Sequence, residues 1–293
     1  MSARRRVWID TDPAITAGNG EVDDAFALVQ ALRSPELEIV GISAVFGNTD
    51  IDHSYAMAQE IAARAGRSDV PVYRGCGQGG DRAHNAATGA LGAALADAPL
   101  TIAALGPLTT VAAALAVSGA ALANVEEIIF VGGRRDGLEF RATPLQKQPF
   151  RDLNFELDAL AAAEVLALGV PMTLAGWEVS AQMWLTPADL DRLCAQGDAC
   201  AQWLAHSARK WQTEWQKNFS APGFTPFDTL AIGWMLTPEL FKAHHWPTKV
   251  ILDGETPLLV ADPKLDGKNT AYLHKVANDA FREDLLRRLL ANN

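Results

Sequence analysis

Short apolar runs alternate along most of the chain with stretches whose apolar residues recur at helical spacing. A brief continuous apolar run reads as a strand buried on both faces, and a recurrence every three to four residues, roughly, as an amphipathic helix. Residues 7–9 open the series as a buried strand and 24–32 follow as a helix; 37–45 is then a strand and 51–65 a helix. Further strands are predicted around 70–73 and at 100–105, 127–131 and 171–175, with helices at 108–116 and 157–168. Residues 187–216 read as two helices and 228–235 as a shorter one. The tail reads as a small hairpin, 249–253 with 257–261 and Asp253-Gly254 in its turn, before a final helix. This alternation predicts βαβ units, and so a Rossmann-like α/β fold with a mostly parallel central sheet and helices on both faces. No internal repeat, low-complexity tract or linker interrupts it, so residues 1–293 are expected to form a single domain.

In such a sheet, ligands bind just outside the carboxyl ends of the strands. Here those ends carry Asp10-Thr11-Asp12, Gly47-Asn48, Gly106-Pro107 and Gly132-Gly133. Two carboxylates two residues apart on extended chain point the same way, and like charges that close need a cation or a proton between them. Asp23-Asp24 opens the next helix. Acidic residues in a first turn often cap a helix or offset its dipole. Four carboxylates bracketing one strand–loop–helix junction also make a hard oxygen donor set suited to Ca²⁺ or Mg²⁺.

Composition narrows the partners. With 49% hydrophobic residues the chain can bury a substantial core, while a net charge of −10 excludes a nucleic-acid backbone or an anionic membrane surface. The three cysteines, Cys76, Cys194 and Cys200, lack a CxxC or a histidine at zinc spacing. That points away from a disulfide framework or a zinc site and towards the cytoplasm. The arginine-rich start has no apolar core of a signal peptide, and no membrane span is expected.

Asp10-Thr11-Asp12-Pro13, followed by Asp23-Asp24-Ala25 and Ala27-Leu28, resembles the opening motif of the inosine–uridine preferring nucleoside hydrolases. Val45-Phe46-Gly47-Asn48, Leu105-Gly106-Pro107-Leu108-Thr109, Val131-Gly132-Gly133, the segment Asn154 to Asp158 and Phe227-Asp228 resemble that family's later landmarks, in the family's order. The resemblance implies Ca²⁺-dependent hydrolysis of the N-glycosidic bond of a ribonucleoside to ribose and free base. Asp12, Asp24 (in bidentate fashion), Asp228 and the carbonyl of Leu105 would ligate Ca²⁺, and Asp12 would be the catalytic base that activates the metal-bound water. Asp23, Asn48, Asn154 and Asp228 would hold the ribose hydroxyls, with Asp10 supporting them from behind, and Asp152 would stand near the 5′-hydroxyl. A homodimer or homotetramer acting on small-molecule nucleosides is implied as well. The chemistry agrees: cleavage passes through an oxocarbenium-like state that carboxylates stabilise, and a cation acidifies water and orients a diol.

Two features depart from the family. Residues 14–22 form a longer segment than the family needs between its aspartates, expected as an excursion at the mouth of the site, either a lid or a tolerated insertion. Phe227 stands where many members have a histidine that protonates the leaving base. Stacking of the base on an aromatic is the alternative, and Trp177, Trp211, Trp215 and Phe227 are the candidates, although Trp211 and Trp215, four apart on one helix face, equally suit a core. His84, in a loop, is a candidate proton donor, and Arg141 or Lys147 a candidate phosphate contact. Two rival readings remain. One is a Ca²⁺-dependent nucleoside-binding protein without turnover. The other is a haloacid dehalogenase-like phosphatase using Asp10 and Asp12, which the alanine at position 14 disfavours.

Overall fold

The computed structural model describes residues 4–18 and 20–291. The amino-terminal half runs β1 (Arg5–Thr11), α1 (Asp23–Leu32), β2 (Leu37–Ala44), α2 (Ile51–Arg64), β3 (Val72–Arg74), α3 (Ala86–Asp97), β4 (Leu100–Ala104), α4 (Thr109–Ala116) and β5 (Val125–Phe130). After a short strand β6 (Arg134–Arg135) come α5 (Leu153–Leu157), α6 (Ala159–Leu168), β7 (Met172–Leu174) and α7 (Trp177–Ser180). The chain closes with α8 (Pro187–Gln196), α9 (Ala199–Phe219), α10 (Phe227–Leu236), β8 (Phe241–Asp253), β9 (Thr256–Ala261), β10 (Asn269–Val276) and α11 (Asn278–Leu290).

The strands form one sheet in the order β3-β2-β1-β4-β5-β7-β10-β8-β9-β6. Its pairings are parallel except those of β8, which runs antiparallel to both β10 and β9. Successive side chains of a strand face opposite sides, and both sides of this sheet are covered. In β1, Val7 and Ile9 enter one core while Trp8 enters the other. In β5, Ile129 joins the first core and Ile128 and Phe130 the second. The first core holds side chains of α1, α2 and α8–α11, the second those of α3, α4 and α6. Strands buried on both faces explain the continuous apolar runs of the sequence.

Helix breaks follow local chemistry. The helix expected over 157–168 is two, because Asp158 leaves helical geometry at φ −153° and its side chain accepts from the Ala161 N–H at 3.0 Å to start α6. Gly197 and Asp198 divide α8 from α9, Asp198 capping the latter through the Ala201 N–H at 2.9 Å. The tail departs most from expectation. The hairpin is there, with Gly254 at φ +62°, but β8 begins at Phe241, and β10 wedges between β8 and β7 to extend the main sheet. Helix α3 was not foreseen either: its alanine- and glycine-rich sequence carries almost no apolar periodicity.

The last helix clasps the first. Arg33, just past α1, donates to the Leu289 carbonyl at 2.6 Å, and Arg288 donates to the Ser34 hydroxyl at 2.8 Å and to Glu36 at 3.0 and 3.1 Å. Among the described residues no helix is long and apolar enough to cross a membrane.

Candidate functional site

The carboxyl ends of β2, β4, β5 and β7 face a common cavity of about 430 Å³, with the first turns of α1 and α10 beside them; Asp12, past the end of β1, and Asp24 are not among its lining residues. Asp12 lies one residue past β1, fully buried. Its Oδ2 accepts the Asn48 N–H at 2.6 Å, while Oδ1 has no partner among the described residues. Two glycines make this placement possible. A Cβ on Gly47 would collide with Asp12 Oδ2, and one on Gly106 would stand 2.7 Å from Oδ1. The Gly-Asn and Gly-Pro strand ends thus wrap the carboxylate from both sides.

Asp23 and Asp24 occupy the first turn of α1, where the helix dipole favours negative charge. They do not cap it: the N-cap is Val22, with no side-chain cap bond. Asp24 accepts from the Thr11 hydroxyl, from the Asp12 N–H at 3.1 Å and from the Asn48 amide at 3.4 Å. Asp228 is also in a first turn, that of α10, whose N-cap is Pro226. Carboxylate oxygens of Asp23, Asp24 and Asp228 come within 4.8 Å of one another. This grouping differs from the expected ligand set in containing Asp23 in place of Asp12.

So many carboxylates cannot all be charged without compensation. Burial, then the Asp24 charge, holds Asp12 well above the usual carboxylate range. Asp23 and Asp228 are raised in the same way, by burial first and by their acidic neighbours second. Asp24 is pushed only to about 6, because the Thr11, Asp12 and Asn48 donors oppose its burial. Asp23 Oδ1, like Asp12 Oδ1, is buried without a partner among the described residues. Orphaned hard oxygens, mutual repulsion and an absence of sulfur or imidazole fit a divalent cation bound by oxygen. Leu105 lines the same cavity, and its carbonyl accepts from the Asn154 amide.

Asp10 stands behind this group and out of the cavity. It is fully buried, accepts from the Ser43 hydroxyl, and is raised to about 8 by burial; Ser43 in turn accepts the Trp8 indole N–H at 2.8 Å.

Asn154, on α5, lines the cavity, but its amide nitrogen is already engaged. It donates to the Leu105 carbonyl at 2.5 Å and the Val131 carbonyl at 3.0 Å, tying the ends of β4 and β5 together. Asp152 also lines it, accepts the Gly133 N–H at 2.9 Å, and is raised to about 6 by burial.

The opposite wall is aromatic. Trp177 stacks on Phe140 at 5.4 Å and meets Phe150 and Phe227 at 5.2 and 5.4 Å; Trp215 stacks on Phe150 at 5.5 Å. Trp215 is a core residue whose ring also lines the cavity, and Trp211, half-buried, lines it beside Trp215. The pair is thus packed into the core on one side and forms cavity wall on the other. Phe140 and Phe150 were not singled out in the sequence. They pair across an antiparallel bridge, Phe150 N–H to Phe140 carbonyl at 2.7 Å, inside the stretch whose basic residues drew notice instead. Arg141 is spent on Glu139 and on the carbonyls of Gln146 and Lys147, and neither Arg141 nor Lys147 lines the cavity. His84 is exposed, lies against Gly89 of α3, and is not among the lining residues.

The segment 14–22 is packed and not a free excursion, apart from Asn19, which lies outside the described residues. Ala14, Ile15 and Val22 are buried. His53 Nε2 lies 3.2 Å from the Ile15 carbonyl, and Lys210 on α9 donates to the Gly18 carbonyl at 3.1 Å. Gly20 turns the chain at φ +71°, and the next residue, Glu21, lines the cavity. Nothing in the sequence marked Glu21 apart from its nearness to Asp23-Asp24.

Comparison with known proteins agrees with this architecture. A profile described as inosine-uridine preferring nucleoside hydrolase matches residues 7–283. The pyrimidine-specific ribonucleoside hydrolase RihA of Photobacterium profundum is 27% identical, over 98% of this chain and 99% of its own. Two solved structures share the fold with a TM-score of 0.85: the plant nucleoside hydrolase PpNRh1, 23% identical, covering 99% of this chain and 100% of its own, and the purine-preferring ribonucleoside hydrolase of Gardnerella vaginalis, 19% identical, covering 97% and 98%.

Proposed function

The chain belongs to the inosine-uridine preferring nucleoside hydrolase family, and from that premise we propose that it cleaves ribonucleosides to ribose and free base with the help of Ca²⁺. The observation that carries this reading is one cavity with a floor of carboxylates and a wall of aromatic rings. The floor suits a sugar diol and a cation; the wall suits a planar base.

Asp12, Asp24, Asp228 and the Leu105 carbonyl would hold the ion, and Asp23 would join them, since its oxygens come within 4.8 Å of those of Asp24 and Asp228. When bound, Ca²⁺ acidifies water and offsets the carboxylates' repulsion. Asp12 takes the proton from the attacking water through Oδ1, the oxygen that has no protein donor. The Asn48 N–H, on Oδ2, fixes the carboxylate for that transfer. Asp23, Asn48 and Asp228 orient the 2′- and 3′-hydroxyls, and Asn154 contributes its amide oxygen, since its nitrogen is engaged. Asp152 faces the 5′ end. As the C–N bond lengthens, the floor's negative charge stabilises the positive charge spreading over the sugar ring.

Trp177, Trp211, Trp215 and Phe227, with Phe140 and Phe150, take the base. With a phenylalanine at position 227 and His84 outside the lining, stacking supports the departing base. The same reading has one catalytic domain acting as a homodimer or homotetramer on free nucleosides in the cytoplasm.

The test is a ribose-release assay on inosine, guanosine, adenosine, uridine and cytidine, with Ca²⁺ and with EDTA. Release that EDTA suppresses and Ca²⁺ restores is expected. Release untouched by EDTA removes the cation from the mechanism. Nucleoside binding without release leaves a binding protein.

A further inference from the structure

The segment 14–22 delivers a carboxylate that the mechanism above does not use. Glu21 follows the turn at Gly20 and lines the cavity beside Asp23, Asn48 and Asp228. Two residues before Asp23, it stands on the acidic side of the cavity. The residue is half-buried. Glu21 is not one of the three carboxylates that close to within 4.8 Å. An ionised carboxylate that faces a cavity offers acceptor sites alone, and so takes donors from what binds there. Its position is fixed from both sides: Ile15 and Val22 are buried, and the backbone between them is held by His53 on α2 and Lys210 on α9.

We propose that Glu21 is a substrate-positioning residue whose carboxylate accepts a hydrogen bond from the 2′- or 3′-hydroxyl of the sugar. The inference rests on the ribonucleoside reading above and extends it. The donors that the cavity would bring within reach of Glu21 are those of a sugar bound on the same floor, whose diol faces Asp23, Asn48 and Asp228. The segment thereby makes this chain more demanding of an intact diol.

The experiment pairs Glu21→Gln and Glu21→Ala with trimmed substrates in the Ca²⁺-loaded protein. A ribonucleoside and its 2′-deoxy, 3′-deoxy and 5′-deoxy counterparts are compared as substrates or, where turnover is slow, as competitive inhibitors. Removing a hydrogen bond to a charged group costs roughly 10- to 100-fold in binding. That loss is expected for the ribonucleoside and the 5′-deoxy analogue, and it should vanish for whichever of the 2′- and 3′-deoxy analogues lacks the partner hydroxyl. Equal losses across all four compounds, a loss that vanishes with the 5′-hydroxyl alone, or no loss at all would overturn the proposal. So would a fall in Ca²⁺ affinity in Glu21→Gln, because the carboxylate would then serve the ion. The near-isosteric Gln variant carries the test if the Ala variant unfolds. Should the wild type bind nucleosides without cleaving them, calorimetric affinities replace rates: a diol-dependent loss then sustains Glu21's role while the hydrolytic reading fails.

Discussion

Gly47→Ala is the most direct probe of how the floor of the site is built. The added Cβ would overlap Asp12 Oδ2 and stand 2.8 Å from its Cγ and 3.0 Å from Pro107 Cδ. The carboxylate cannot retreat freely, because Gly106 lies so near the Oδ1 side that a Cβ there would stand 2.7 Å from it, and Asp12 has no exposed surface. Asp12 must therefore rotate or the β2 end must back away, and either breaks the 2.6 Å bond from Asn48 N–H. Overpacking of this sort costs about 1–3 kcal/mol, equivalent to a fall in Tm of about 2–12 °C in a protein of this size. The loss of activity should be larger in proportion, since a displacement of about 1 Å in a reacting group costs on the order of 100-fold. The assay is ribose release at saturating nucleoside, with Tm measured alongside. Gly92→Ala is the control: nothing lies within 4 Å of its Cβ, and in the middle of α3 it should be neutral or stabilising. If Gly47→Ala kept kcat within about threefold of wild type, the account of Asp12 as a base held between two glycines would be wrong.

Three further outcomes follow from the site. Asp12→Asn should fold normally and lose roughly 10²- to 10⁴-fold in kcat, the usual worth of a general base, and retention of most activity would reassign that role. Asp24→Ala should weaken Ca²⁺ binding measured by calorimetry, and unchanged affinity would remove Asp24 from the ligands. In EDTA, Tm should fall as pH rises from about 5 to about 8. Asp152 and Asp10 are raised to about 6 and about 8 by burial, above the value of about 3.9 in an unfolded chain, so the folded state holds their protons more tightly. Their contribution is full below about pH 4 and is lost as pH climbs through those two values. Saturating Ca²⁺ should lift the alkaline end of the curve, and a Tm rising with pH in EDTA would contradict the burial argument.

The parallel half of the fold was legible because its strands are buried on both faces and end in residues too polar or too small for a core. Asp10-Thr11-Asp12, Gly47-Asn48 and Gly132-Gly133 stood out for that reason, and the structure gathers all of them at one end of the sheet. What stayed hidden was set by long-range geometry. β10 reads as mixed polar and apolar because only some of its side chains are buried, and its place between β7 and β8 depends on partners far away in the chain. Phe140 and Phe150 belong to no regular element, so no period announces them. Asn154 lines the cavity, but its donors are spent on the ends of β4 and β5, a detail that no spacing carries. Glu21 sits beside the aspartates in sequence, yet only the turn at Gly20 and the anchoring of residues 14–22 bring it into the cavity.

The clasp between α11 and the end of α1 bears on how the protein is made. Synthesis is vectorial, so Arg33, Ser34 and Glu36 leave the ribosome long before Leu289 and Arg288 exist to meet them. The strand β10 is equally late, and the sheet cannot join β7 to β8 without it. Asp12, Asp23 and Asp24 emerge early, but Asp228 and the tryptophans of α9 come from the final third of the chain. A nascent chain therefore presents only a fragment of the acidic floor until α10 has been made, and the clasp between α1 and α11 closes later still.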